Sequence, residues 1–215
     1  FLRPAEKVIL DNIKRLGYAT EEQLVYWSTY HVSTVSRALS SLQDLKFVKS
    51  EKAVRPNIWK LTWKGGRVID RTLSWNLRKP SWSVMAHAVH RNQCEIVLRE
   101  EHPDFTDFMF LDRQDLFRLG LNPSHGEHWG VQDEKIIFVL LDDYMMGSDR
   151  ITQAISRKQR ANKNQSNFKN TVSWSTLFNR FIVASTKKEQ LERHHRWINR
   201  NGLQAEVLYV PGIWD

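Results

Sequence analysis

Acidic residues and a histidine flank one strongly apolar stretch near the middle of the chain. The apolar run, residues 136–141, ends in Asp142 and Asp143. Glu127 and His128 lie just before it, and the polar residues between them predict a hairpin that brings the two groups together. Carboxylates on one strand with further ligands on its neighbour predict a divalent-metal site. The alternative is a strand that stops in an exposed Asp-Asp turn.

The candidate ligands indicate an ion that prefers oxygen. We expect Asp112, Asp142 and Asp143 to bind it, with Glu127 as a weaker ligand. His128 could be a further ligand or a general base, because imidazole titrates near neutral pH. Oxygen ligands favour Mg²⁺ or Mn²⁺, and Mn²⁺ is favoured if His128 binds. Such an ion stabilises charge and activates water in phosphodiester cleavage.

Other side chains offer further chemistry near this stretch. Tyr144 follows the acidic pair, and its hydroxyl could attack phosphorus, donate to a phosphate or simply pack. His87 and His90 could face the substrate. Zinc bound by His90 and Cys94 is a weaker alternative, because the chain has a single cysteine.

The charge of the chain is unevenly distributed. Residues 1–83 hold 15 Lys/Arg and 7 Asp/Glu, and residues 145–215 hold 12 and 5. Residues 84–144 reverse the balance, with 5 Lys/Arg and 12 Asp/Glu. Carboxylates repel a phosphate backbone unless a divalent cation lies between them. An acidic centre between two basic arms therefore indicates a metal-dependent enzyme acting on nucleic acid.

The composition is that of a globular protein in a reducing compartment. Of the 215 residues, 41% are hydrophobic, which is ample for a core. Cys94 is the one cysteine, so no intrachain disulfide can form and a cytoplasmic location is expected. No apolar stretch approaches the roughly 18 residues that a membrane span requires. We therefore expect no membrane association.

The elements that position these residues begin with a predicted DNA-binding domain, residues 1–75. Pro4 suits a helix start, and Thr20 with Gln23 forms a capping box for a second helix. A third helix opens near His31, and strands over residues 47–52 and 57–62 form a hairpin. Three helices and a basic hairpin predict a winged helix-turn-helix. A winged helix used for protein contacts is the alternative.

The third helix and the hairpin carry the residues expected to contact DNA. Arg37 could reach a guanine edge, and the small hydroxyl side chains beside it could hold phosphates. The basic hairpin would touch the adjacent backbone. The expected DNA-binding residues of this domain are Ser33, Thr34, Ser36, Arg37, Ser40, Lys49, Lys52 and Arg55.

A linker, residues 76–83, leads to a second domain, residues 84–215. The pattern predicts a helix over 84–101, a strand over 104–112, the hairpin, a helix from Ser148, a strand over 178–185, a helix capped near Thr186 and a last strand. This order predicts an α+β fold with a mixed sheet flanked by helices.

Two helices of this second domain carry clustered charges. The helix after the acidic strand is basic and could clamp phosphates, although a solvated face is the alternative. Its candidate DNA contacts are Arg150, Arg157, Lys158 and Arg160. The basic and histidine cluster of the later helix is expected at the surface and comprises Arg193, His194, His195 and Arg196.

The order αβββαβ with acidic strand ends is similar to the core of restriction-endonuclease-like nucleases. Their signature is an Asp, then Asp or Glu, one residue, and Lys; Asp112 and Asp142 match the acids, whereas Tyr144 stands where Lys is expected. With the N-terminal winged helix, nearly the whole chain resembles the MOBC class of mobilisation relaxases and the plasmid replication-relaxation proteins. The most specific part is HWGVQDEKIIFVLLDDYMMGSDRITQAISRK.

This resemblance implies a metal-dependent nickase that cleaves plasmid transfer-origin DNA in bacteria. It implies double-stranded DNA with a locally melted or single-stranded region as substrate, and accessory mobilisation proteins as partners. A transposition-type endonuclease and a noncatalytic replication or transcription regulator with a decayed nuclease-like core are the alternatives. The missing lysine favours the regulator, and the acidic centre favours the enzyme.

Overall fold

The structure, a computed structural model, describes residues 2–51, 56–70, 80–112, 115–116, 126–133, 135–143, 146–163 and 178–214, without the side chains of 148, 158–163, 178 and 179. The chain divides into two compact units: residues 1–92 with 213–215, and residues 93–212. Helices and strands are mixed, so the predicted α+β class is confirmed. Residues 76–79 of the expected linker lie outside the described residues.

The first unit opens with three helices, a two-stranded antiparallel hairpin and a short fourth helix. Their bounds are α1 Pro4–Leu16, α2 Glu21–Ser28, α3 Val32–Asp44, β1 Val48–Glu51, β2 Ile58–Leu61 and α4 Trp63–Ile69. The predicted capping box is confirmed, because the Gln23 amide nitrogen donates to Thr20 Oγ1 and the Thr20 amide donates to Gln23 Oε1, both at 3.3 Å. Gly17 ends α1 with a φ of 76°, a backbone conformation that favours glycine.

One buried carboxylate joins α1 to α3. Glu6 Oε1 accepts a 2.7 Å hydrogen bond from the Ser41 hydroxyl, and Oε2 accepts one from the Arg3 amide at 2.7 Å. Burial raises the pKa of the Glu6 carboxyl, but these hydrogen bonds and the Arg3 guanidinium together bring it below its ordinary value of 4.5. Glu6 therefore stays ionised at neutral pH and fixes the position of α3.

Helix α5, Trp82–Glu101, contributes its first half to the first unit and its second half to the second. Gln23 Nε2 donates to the Val89 carbonyl oxygen at 2.9 Å. Asn92 Nδ2 donates to the Tyr18 carbonyl oxygen at 2.7 Å. These buried side-chain hydrogen bonds make the start of α5 a structural part of the first unit.

The second unit is built on a five-stranded sheet in the order β3-β4-β5-β6-β7. The strands of this sheet and the two helices between them are β3 Met109–Phe110, β4 Glu127–Gln132, β5 Lys135–Asp142, α6 Ser148–Lys163, β6 Phe178–Ser185, α7 Lys188–Arg200 and β7 Glu206–Tyr209. β3, β4 and β5 are antiparallel, whereas β5, β6 and β7 are parallel. The parallel pairs require crossover connections, which contain α6 and α7.

Strand β5 is the centre of this sheet and is buried on both faces from residue 136 to 142. Alternate side chains point to opposite faces. One face packs against α5 and involves Ile137, Val139, Leu141, Cys94, Val97 and Leu98. The other face packs against α6 and α7 and involves Ile136, Phe138, Leu140, Ile151, Ile155 and Ile198. Burial on both faces explains the continuous apolar run.

Two predicted features of the second unit are wrong. The strand expected over residues 104–112 is a 3₁₀ turn, Pro103–Phe105, followed by the two-residue β3. Turn hydrogen bonds from Phe105 N to the His102 carbonyl and from Phe108 N to the Phe105 carbonyl replace an extended ladder. Thr186 does not cap the later helix, because it is buried and its amide donates to the Asp142 carbonyl oxygen at 3.2 Å.

Among the helices of the described ranges, none combines the length and the apolar character that a bilayer-spanning segment needs.

Candidate functional site

Asp142 ends β5, and its carboxylate is buried on the sheet face that packs against α6 and α7. Its Oδ2 lies 2.9 Å from Nε2 of His194, and the two side chains are at most 1% exposed. Its Oδ1 accepts a 2.5 Å hydrogen bond from the backbone amide of Met146. Both carboxylate oxygens therefore have donors within the protein, as a buried acid requires.

His194 is the residue that the sequence interpretation misplaced. It was expected at the surface, but it is buried, whereas its neighbours Arg193, His195 and Arg196 are exposed as predicted. Gln190, His194 and Ile198 recur every four residues and form the buried stripe of α7. That spacing was visible in the sequence and is the signal that identifies His194 as an inward-facing side chain.

Within the described part of the chain, one ring nitrogen of His194 is hydrogen-bonded and the other is not. Nε2 is the ring nitrogen that faces the Asp142 carboxylate, at 2.9 Å from Oδ2. Nδ1 is buried and has no hydrogen-bond partner among the described residues. The carboxylate thus fixes the orientation of the ring, and Nδ1 is the nitrogen that Asp142 does not contact.

Glu127 and His128 are adjacent on β4 but point to opposite sides of the sheet. Glu127 pairs with Leu140 and His128 with Val139 in the antiparallel register. Glu127 therefore shares the α6 and α7 face with Asp142 and is buried. His128 lies on the α5 face, where its ring centroid is 5.5 Å from that of Phe110. The hairpin brings Glu127, and not His128, to the face that carries Asp142.

The remaining predicted ligands lie at the sheet margin. Asp112 is exposed, and its Oδ1 accepts a 2.9 Å hydrogen bond from the backbone amide of Asp115, which caps a short turn. Asp143 is half-buried after the end of β5. Tyr144 lies outside the described residues. The structure thus supplies backbone-capping roles for Asp112 and Asp142 that their sequence positions did not indicate.

The candidate ligands predict Mg²⁺ or Mn²⁺ at the end of β5. Within the described ranges, no group of three or more His, Cys, Asp or Glu side chains is arranged to hold a metal ion. Asp142 directs its oxygens at Met146 and His194, and His128 lies across the sheet. The described residues therefore do not fit a carboxylate-bound divalent ion.

The exposed face of α3 is a second candidate site, in the first unit. Val35, Ala38, Leu39 and Leu42 are buried, which leaves the opposite face to solvent. Ser33, Ser36, Arg37 and Ser40 are exposed on that face, and Thr34 is half-buried.

Two hydrogen bonds prepare this face of α3. His31 caps the helix, because its Nδ1 accepts from the Ser33 amide at 3.3 Å and lies 2.9 Å from the Ser33 hydroxyl. Arg37 Nε donates to the Ser33 carbonyl oxygen at 3.1 Å within the same helix. The guanidinium therefore lies along α3, and no ion pair holds it among the described residues.

The other predicted DNA contacts are partly described. Lys49 is exposed on β1, opposite Lys60 of β2. Arg150 and Arg157 are exposed on α6, and Arg157 Nε donates to the Gln153 carbonyl oxygen at 3.2 Å. Lys52 and Arg55, and the side chains of Lys158 and Arg160, lie outside the described residues.

The histidines of α5, together with Cys94 and Tyr18, are all at least partly buried. The His90 ring centroid lies 5.1 Å from that of Trp214, and His87 is half-buried. Cys94 is fully buried in the apolar cluster against β5. Burial, and then the negative charge of Glu51, raise the pKa of Tyr18 above its ordinary value of 10.0, so its hydroxyl stays protonated.

Comparisons with known proteins add little to this geometry. No family model matches the sequence. An uncharacterized protein of Methanocaldococcus jannaschii is 35% identical over 69 residues, which are 32% of this chain and 15% of that protein. The structure of a protein with unknown function from Listeria innocua Clip11262 is similar at 16% identity over 55% of this chain and 68% of that one, with a TM-score of 0.29. The match spans a small part of the archaeal protein.

Proposed function

We propose that this protein binds double-stranded DNA, and that α3 is the element that enters the major groove. The observation that carries the proposal is the exposed face of α3, where Ser33, Ser36, Arg37 and Ser40 stand together. Small hydroxyl side chains let a helix approach the bases and phosphates closely, and Arg is the commonest reader of a guanine edge.

The surroundings of α3 support this role. We infer that α1, α2, α3 and the β1–β2 hairpin form a winged helix-turn-helix. The turn between α2 and α3 is short and includes Thr29 in the left-handed conformation, with a φ of 58°. The hydrogen bond from Ser41 to the buried Glu6 carboxylate keeps α3 in place, which a rigid reading helix requires.

Replacing Arg37 with alanine is expected to weaken binding to a specific duplex by about 10- to 100-fold, because one bidentate base contact is worth about 1–3 kcal/mol. The duplex is one that the wild-type chain has selected from a randomised pool. Fluorescence anisotropy at fixed salt gives the two dissociation constants. Lys7→Ala, an exposed basic residue on α1, is the control and is expected to change affinity less than about threefold.

The reference for specificity is a scrambled duplex of equal length. Arg37→Ala is expected to bind the scrambled duplex nearly as well as wild type does, because loss of a base contact mainly affects the selected sequence. Equal affinity of wild type and Arg37→Ala for the selected duplex contradicts the proposal that α3 reads bases.

A second candidate function is cleavage of one DNA strand, as in the mobilisation relaxases that the sequence resembles. Its support is the pair of buried carboxylates, Glu127 and Asp142, on one face of adjacent strands, with His194 in contact with Asp142. An imidazole oriented by a carboxylate is a common general base. The His194 ring is buried, so this role requires local opening of the protein at the end of β5. The described residues do not assemble an ion site, so the support for cleavage comes from the protein's own side chains.

Incubation of a supercoiled plasmid that carries the selected duplex, with Mg²⁺ or Mn²⁺, is the test of cleavage. We expect conversion to the open-circular form by wild type, and at least a 100-fold slower rate for His194→Gln, since a general base contributes about 10²- to 10⁴-fold. Gel electrophoresis over time measures the rates. Absence of nicking with either ion leaves the noncatalytic DNA-binding regulator as the function.

A further inference from the structure

Helix α7 carries a basic groove on its exposed side that neither function above uses. Arg193, Arg196, Trp197 and Arg200 line a groove of about 330 Å³. Their spacing of i, i+3, i+4 and i+7 places them along one face of the helix. The buried stripe of α7, which includes His194, lies on a different side. The groove is therefore a surface of the folded second unit and not part of its core.

The arginines of this groove carry positive charge that the described protein does not neutralise. Arg196 Nε donates to the Glu192 carbonyl oxygen at 3.4 Å, within the same helix. No carboxylate pairs with Arg193, Arg196 or Arg200 in the described ranges. Arg180 of the same unit is different, because it forms ion pairs with Glu206 at 2.6 Å and Asp104 at 2.9 Å. The groove arginines therefore differ from Arg180, whose charge is balanced within the protein.

The spacing of the charges suits an extended anion. Arg193 and Arg200 are about 10 Å apart along the helix axis, at 1.5 Å per residue. Three like charges within this distance repel one another, and a polyanion that follows the helix relieves the repulsion. Guanidinium groups also bind phosphate oxygens with two parallel hydrogen bonds.

Trp197 distinguishes between kinds of polyanion. It is half-buried, and it lies between the arginines in the same groove. An indole face beside phosphate-binding groups is a platform for a nucleobase, and bases stack on it only when they are not stacked within a duplex. A purely phosphate-binding surface has no need of an aromatic side chain at this position.

We propose that the groove of Arg193, Arg196, Trp197 and Arg200 binds single-stranded DNA, with the arginines on the phosphates and Trp197 against a base. The choice of DNA rests on the proposed function of α3. His194 links the same helix to Asp142 at the end of β5. A strand in the groove therefore lies along the helix that borders the acidic end of the sheet.

The test measures binding of a fluorescein-labelled oligothymidylate to the full chain by anisotropy across a salt series. The triple variant Arg193→Ala, Arg196→Ala, Arg200→Ala is expected to bind at least about tenfold more weakly at 0.1 M salt. Its plot of log affinity against log salt concentration is expected to be shallower by about 2, because three phosphate contacts are lost. Lys135→Ala, an exposed lysine of the same unit away from the groove, is the matched control and should bind as wild type does.

Two substitutions of Trp197 separate stacking from charge and from folding. Trp197→Leu keeps an apolar side chain but removes the aromatic face, and it is expected to weaken oligothymidylate binding about fivefold or more. Trp197→Phe keeps an aromatic face and is expected to retain most of the affinity. Circular dichroism of both variants verifies the fold, and equal loss in the two variants contradicts stacking.

The same titrations with the selected duplex make the two proposals separable. In one outcome, the groove variants weaken oligothymidylate binding but Arg37→Ala leaves duplex binding unchanged. This outcome supports the single-strand site in the groove and contradicts the proposal that α3 reads duplex DNA. In the opposite outcome, Arg37→Ala weakens duplex binding but the groove variants bind oligothymidylate as wild type does. This outcome overturns the proposal of a single-strand site in the groove. Equal weakening of duplex and oligothymidylate by the triple variant, with no effect of Trp197→Leu, indicates general charge attraction and also overturns it.

Discussion

Replacement of Asp142 with alanine is expected to lower the free energy of unfolding of the second unit by about 3 kcal/mol or more. The carboxylate accepts hydrogen bonds from the Met146 amide and the His194 imidazole, and all of these groups are buried. Alanine leaves both donors without an acceptor in the core, and an unsatisfied buried polar group costs about 1–3 kcal/mol. Urea unfolding followed by circular dichroism, with the transitions of the two units fitted separately, measures the loss.

Matched variants identify the source of this loss. Asp142→Asn keeps an oxygen for the Met146 amide and is expected to lose less stability than Asp142→Ala. In a double-mutant cycle with His194→Phe, the double variant should be less destabilised than the sum of the single variants, because the orphaned donor is also removed. Additive losses, or an Asp142→Ala variant as stable as wild type, contradict the buried pair as a source of stability.

The buried pair changes how a cleavage experiment is interpreted. A loss of nicking by Asp142→Ala is expected from unfolding alone, so that variant does not separate catalysis from stability. His194→Gln keeps a polar group in place of the imidazole but cannot accept a proton near neutral pH, as a general base must. It is the variant that distinguishes chemistry from folding, provided that its unfolding transition is close to that of wild type.

Replacement of Gly65 with alanine is expected to destabilise the first unit by about 2–3 kcal/mol. A Cβ at this position would clash with the backbone carbonyl oxygen of Phe47, and backbone cannot move aside as a flexible side chain can. Thr62 holds Gly65 close to Phe47 through two hydrogen bonds. Its hydroxyl donates to the Lys46 carbonyl oxygen at 2.6 Å, and its backbone amide donates to the Phe47 carbonyl oxygen at 2.9 Å. The first turn of α4 is thus held against the entry to β1.

The control for Gly65 lies on the same helix. Arg67→Ala removes an exposed side chain whose guanidinium stands over the Trp63 ring at 5.6 Å, and it is expected to change stability by less than about 1 kcal/mol. Thermal unfolding of the two variants compares them directly. Gly65→Ala is also expected to lower duplex affinity, because the hairpin and α3 share one core. A Gly65→Ala variant with the same melting temperature as wild type shows that Gly65 and the Phe47 carbonyl oxygen are not in close contact in solution.

Local signals predicted most of the helices and strands. The capping box at Thr20 and Gln23, the stop at Gly17 and the continuous apolar run of β5 each specify structure within a few residues of sequence, so they were recognisable without tertiary information. The prediction of a strand over residues 104–112 was wrong. Phe105, Phe108 and Phe110 are buried, but they lie on a turn and a short strand. Their near-alternation resembled the pattern of one extended segment.

The partners of the acidic residues could not be predicted in the same way. Asp142 and His194 are 52 positions apart, and their contact depends on the crossover that brings α7 over the end of β5. Which of Glu127 and His128 shares the face of Asp142 depends on the register of β4 against β5, because one residue of shift would exchange their faces. Hydrophobic spacing alone did not specify which polar side chain lies on which face.

The sequence by itself determined the α+β class, the buried central strand with its acidic end, and the polar, hydroxyl-rich face of α3, because each follows from local periodicity and capping. Only the tertiary structure decided that Asp142 is held in a buried pair with His194, that His128 lies across the sheet, and that the arginines of α7 line a groove with Trp197. These features depend on packing between elements distant in sequence. The acidic strand end is thus a buried, hydrogen-bonded structure, and the exposed basic faces are where we expect DNA to bind.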